Sequence, residues 1–68
     1  MKGTVKAVVI DRGFGFITPS DGSDDVFFHV NDLDPGLDWD DTLIERRVTF
    51  DMASSVKGPR AANVRPMD

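Results

Sequence analysis

The chain has no cysteine and a single histidine, His29, which excludes disulfides, thiolate metal sites and most soft-ligand metal chemistry. It also lacks any run of 18 apolar residues, and Met1-Lys2-Gly3-Thr4 is not the apolar stretch of a signal peptide. A soluble, cytoplasmic protein without a membrane partner or a cofactor is the expectation. A basic surplus is missing too: the net charge is −4, whereas proteins that coat DNA or membranes carry an excess of cations. Length is the last shortage. At 68 residues the chain forms one domain, residues 1–68. A chain of this size buries only about 60% of its unfolded surface. With no staple available, the fold must close on its own packing.

The charge that is present is unevenly placed. Residues 31–45 hold six acids (Asp32, Asp34, Asp38, Asp40, Asp41, Glu45) and no base. The other 53 residues carry eight bases against six acids, a net of +2. The acidic balance is thus a local property of a segment that contains the turn signal Asp34-Pro35-Gly36 and reads as a long, solvated loop.

Outside that segment the pattern is one of short strands. Lys2 to Ile10 is rich in Val and Ile; Gly15 to Thr18 and Val26 to Val30 follow, separated by the turn residues Pro19-Ser20-Asp21-Gly22. Arg47 to Met52 alternates with period two, Gly58-Pro59 breaks the chain, and Ala61 to Arg65 supplies a last run. Five strands of this length favour a small closed antiparallel barrel over an open sheet with bare edges. The one helical signal, Thr42-Leu43-Ile44-Glu45, fits a capping box and predicts a single turn.

Arg12-Gly13-Phe14-Gly15-Phe16-Ile17 is the most informative stretch. Alternate side chains of a strand face the same way, so Phe14 and Phe16 share one face. In Val26-Phe27-Phe28-His29-Val30, Phe27 and His29 share one face and Val26, Phe28 and Val30 the other. If the two strands pair through the Pro19 to Asp24 turn, four flat rings meet on one sheet face. Burial of those rings in the core is the ordinary alternative. Against it, Ile17, Val26, Phe28 and Val30 already offer a core on the opposite face, and His29 would be buried without a partner. Glycines in a strand also often mark close approach of another backbone or a ligand. An exposed aromatic face flanked by cations suits single-stranded nucleic acid, because every base has a face that stacks while Lys and Arg track phosphates. Residues 12–16 match the first five positions of the ribonucleoprotein signature; Ile17 is a conservative departure, and Pro19 stands where its last aromatic belongs.

On these residues the chain resembles the bacterial cold-shock proteins, relatives of the cold-shock domains of Y-box proteins. Gly3-Thr-Val-Lys opens the resemblance, Arg12-Gly-Phe-Gly-Phe-Ile and Val26-Phe-Phe-His correspond to two ribonucleoprotein motifs, and Lys57-Gly-Pro-Arg-Ala-Ala-Asn-Val ends it. The resemblance implies a five-stranded OB-type barrel, with the long acidic loop between strands 3 and 4, that binds single-stranded RNA or DNA and acts as an RNA chaperone. It implies stacking by Phe14, Phe16, Phe27 and His29, with Lys6, Arg12, Lys57 and Arg60 as flanking cations. Trp39 lies close to a loop aromatic of the family that also stacks; the other reading makes it a plug that pins the loop to the barrel.

The departures are specific. The family's first strand reads Val-Lys-Trp-Phe-Asn where this chain has Val5-Lys6-Ala7-Val8-Val9, and the second motif ends Val-Phe-Val-His-Phe where this chain has Val26-Phe27-Phe28-His29-Val30. Base stacking contributes roughly 1–3 kcal/mol per base, so the missing rings predict weaker binding and a footprint of about three or four bases. Ala7, Val8 and Val30 would make room for the larger inward Phe28. Three rival readings differ in class. Calcium binding by the acidic loop fails the EF-hand template, because counting from Asp32 puts Gly36 at position 5 and Leu43 at position 12. Catalysis is not expected, since no second titratable group is spaced to work with His29 and so small a barrel has no deep pocket. The third is a protein-interaction module on the same fold, using the acidic loop, or a homodimer formed by strand exchange.

Overall fold

The apolar and alternating runs form five strands in this computed structural model, which describes residues 1–56 and 58–67. They are β1 (Lys2–Val9), β2 (Phe14–Pro19), β3 (Val26–His29), β4 (Arg47–Ser55) and β5 (Gly58–Pro66). The strands close into a barrel in the order β1-β2-β3-β5-β4. Four of the seams are antiparallel and the fifth, between β3 and β5, is parallel. An odd number of strands in a ring cannot alternate in direction throughout, so one parallel seam is obligatory in a barrel expected to be antiparallel.

Two strands are longer than the residue pattern predicts. β4 runs on to Ser55, and Gly58-Pro59 opens β5 instead of breaking the chain, with Gly58 at φ 113° and Pro59 opposite Ser54. Proline is tolerated at a strand start because the ladder there can do without its N–H. β3 is shorter than expected: Val30 leaves the sheet to begin a 3-10 turn, Val30–Asp32.

Alternation puts Val5, Ile17, Val26, Phe28, Val48 and Phe50 inside, and a register shift near Asn63 in β5 lets both Ala61 and Val64 face inward as well; all are essentially buried. Gly15 lies opposite Phe28. A Cβ on Gly15 would stand 2.6 Å from the Ala7 carbonyl and 2.8 Å from two atoms of the Phe28 ring. The space for the bulky Phe28 is therefore a missing side chain on the paired strand.

The acidic segment is less solvated than its composition implies. Leu37 and Leu43 are buried in the core and Leu33 and Trp39 pack against it. Leu33 bridges to Val64 alongside β5, and the Asp34 amide donates to the Val64 carbonyl at 2.7 Å. The segment thus crosses the end of β5 to reach β4, as a strap. The predicted single turn exists as a 3-10 turn, Asp41–Leu43, but Thr42 is inside it. Asp40 is the N-cap, its carboxylate accepting from the Thr42 amide at 2.9 Å.

Candidate nucleic-acid interface

A bulge in β1 decides what shares the face with the rings. Val5 pairs with Ile17 and Ala7 with Phe16, so Lys6 is the extra residue. Beyond it the alternation is inverted. Ala7 and Val9 stand beside Phe16 and Phe14 on the outer face, while Val8, opposite Gly15, packs against the core.

On the next seam Phe14 pairs with His29 and Phe16 with Phe27. The two rows set three phenyl rings in mutual contact. Phe14 and Phe16 are 5.9 Å apart between centroids at 88°, Phe14 and Phe27 5.6 Å at 33°, and Phe16 and Phe27 6.2 Å at 72°. Such edge-on and tilted pairs are favourable, so the cluster supports itself while each ring stays half-exposed. Their strand neighbours Gly15, Ile17, Val26 and Phe28 are buried behind them.

His29 ends the row and caps the turn that follows. Its Nδ1 accepts from the Asn31 amide at 3.1 Å, and Asp32 accepts from the His29 amide at 3.0 Å. In the neutral ring this places the proton on Nε2. The ring is therefore held from one side and presents a donor on the other.

The expected cations sit differently from one another. Lys6 Nζ lies 3.0 Å from Asp25, whose other oxygen accepts from Thr18 Oγ1 at 2.9 Å. Lys6 first, and Thr18 after it, hold the Asp25 carboxyl below the usual aspartate range. Arg60 is brought beside Phe27 by the parallel seam. Its Nε donates to Asp32 Oδ2 at 2.9 Å and its Nη2 to Oδ1 at 3.1 Å, which raises the guanidinium above its ordinary value. Arg12 is exposed and enters no ion pair among the described residues. Lys57 lies outside the described residues. Trp39 is half-buried, edge-on to Phe28 at 6.0 Å and 86°, and its Nε1 donates to the Ile10 carbonyl at 3.2 Å. Its ring contact is thus with the inner layer, not with Phe14, Phe16 or Phe27.

A profile described as the 'Cold-shock' DNA-binding domain matches residues 1–67. The chain belongs to the cold-shock domain family. It is 51% identical over 65 residues to the Escherichia coli cold shock-like protein CspB, covering 94% of this chain and 89% of that protein. Cold shock protein 1 of Lactiplantibacillus plantarum is also 51% identical, over 94% of both chains. Among solved structures, drosophila Unr CSD456 superposes with a TM-score of 0.78 at 22% identity, over 98% of this chain and 26% of that one. That likeness is one of fold.

Within this cold-shock domain, the altered first strand divides in two. Ala7 occupies the outer face next to Phe16, so an aromatic at that position would extend the ring cluster. Val8 belongs to the core side. Val30 lies over the β1–β2 turn, where its amide donates to the Gly13 carbonyl at 2.8 Å. The residue pattern did not point to Asp25 and Asp32 as partners of the flanking cations. Asp32 was within reach, standing three residues after His29 at the acidic position of a capping box. A histidine in place of the usual Ser or Thr cap hides the signature.

Proposed function

We propose that this cold-shock domain binds single-stranded RNA or DNA by stacking bases on Phe14, Phe16, Phe27 and His29, and that it acts as an RNA chaperone. The observation that carries the reading is the register: two adjacent rows set four half-buried rings side by side on the outer face of a closed barrel. Arg12 and Lys6 supply the cations at its edge, and Trp39 serves as the pin of the strap. With Ala7 in place of a ring, binding is weaker than in members whose first strand carries aromatics, and the footprint is about three or four bases. Phosphate contacts are few. Neutralising about three of them gives a log–log salt slope near −2 by the single-strand rule.

Fluorescence anisotropy of a labelled oligo-dT or oligo-U tests this. A Phe16→Ala/Phe27→Ala variant removes two stacks of about 1–3 kcal/mol each, so affinity should fall by at least about 30-fold. A folded double variant that binds the oligonucleotide as the parent does would refute the reading.

A further inference from the structure

Arg60 and Lys6 both flank the stacking face and both meet a carboxylate, but the two pairs differ in kind. Lys6 makes one contact, and its side chain is 64% exposed against 34% for Asp25. Water and phosphate compete for such a pair easily. Arg60 makes a two-point fork with Asp32, whose side chain is only 14% exposed. Paired charge-assisted bonds of this geometry are the strong ones.

Asp32 is fixed independently of Arg60. Its Oδ2 also accepts from the His29 amide, as the third residue of the capping box that ends β3. The carboxylate therefore cannot follow the guanidinium if Arg60 swings towards a bound strand. To recruit Arg60, a phosphate would have to replace both bonds and leave a shielded carboxylate without its counter-ion, which is costly.

We propose that Asp32 is a positioning residue that withholds Arg60 from the nucleic-acid backbone and so sets the salt dependence of binding. The inference rests on the nucleic-acid reading above. Arg60 then braces the parallel seam between β3 and β5, while phosphate contacts fall to the remaining cations.

Oligo-dT affinity measured from 50 to 200 mM salt tests it. Asp32→Asn frees Arg60 for one further phosphate, so the log–log slope should steepen by about 0.7, an extra loss of about 2.5-fold across that range. Asp32→Asn/Arg60→Gln has the parent's net charge and should return to the parent's slope. Asp41→Asn adds the same unit of charge at an exposed position of the strap and should keep the parent's slope. An unchanged slope in Asp32→Asn would overturn the proposal, as would steepening in Asp41→Asn or in the double variant. In the unaltered chain, the Arg60 Nε–H resonance should hold its position on saturation with oligo-dT while the Phe14 and Phe16 amides move. A displaced Arg60 signal would overturn the proposal even if Asp32→Asn did not fold. If the parent itself fails to bind oligo-dT, the stacking reading fails along with it; binding by the parent with a flat response in Asp32→Asn sinks the Asp32 role alone.

Discussion

Gly15 shows how a single absent side chain serves both sides of a sheet. Its hydrogen sits over the Phe28 ring and the Ala7 carbonyl, and its neighbours Phe14 and Phe16 stand on the outer face with no bulk between them. The glycine pattern pointed to a close approach without naming the partner. That partner is the chain's own core, because register, which places Phe28 opposite, is a long-range property. Gly15→Ala should destabilise the fold by roughly 1–3 kcal/mol, as overpacking does, read as a lower urea midpoint. Adding Phe28→Val should recover part of the loss but not all, since the Ala7 carbonyl would remain 2.6 Å from the new Cβ. No recovery at all would mean that Phe28 is not the obstacle.

Among the elements, the strap was the least legible. Its acids announce solvent, and Asp38 and Asp41 are indeed exposed. Asp40 is exposed too, yet like Asp32 and Asp34 it accepts from a backbone amide, the donors being Thr42, His29 and Gly36 respectively, and these bonds shape the turns. What anchors the segment is four apolar residues spaced without strand or helix periodicity, which a search for alternation passes over. The ring-bearing strands were legible because alternation and the turn at Pro19 to Gly22 are both local. Trp39 joins the two levels through its edge-on contact with Phe28 and its bond to Ile10. Trp39→Leu should forfeit an aromatic pair worth about 0.5–1.5 kcal/mol and a hydrogen bond of about 1 kcal/mol. Hydrogen exchange should then quicken at residues 37–44 while the β2–β3 amides keep their protection; uniform quickening would show that the strap is not a separate unit.

The whole molecule answers to pH through its carboxylates. Asp21 is held below the ordinary aspartate value of 3.8 by Ser23, Asp25 chiefly by Lys6, and Asp51 chiefly by Asn63 and then Arg65. A carboxyl whose value is lower folded than unfolded stabilises the fold fully above its unfolded value and loses that contribution as pH falls through the folded one. Stability should therefore be level near neutral pH and decline below about pH 4. The groups are exposed, so the decline is gentle. Asp25→Asn should show a smaller drop in urea midpoint between pH 7 and pH 2.5 than the parent; an equal drop would remove Asp25 from the account. A small closed barrel was readable at this scale from strand count, and its OB type from the resemblance, whereas the β3–β5 seam was not, because no local pattern records which strands become neighbours.

The course of the strap has an electrical consequence. Because β4 returns beside β1 and not beside β3, residues 30–46 must cross the end of β5. Six of the chain's twelve acids lie on that crossing, and the remainder of the molecule is net positive. The negative charge is therefore gathered on the side of the barrel where the strap runs beside β5. A polyanion drifting near it feels a torque before it feels a contact, and is turned so that the strap points away.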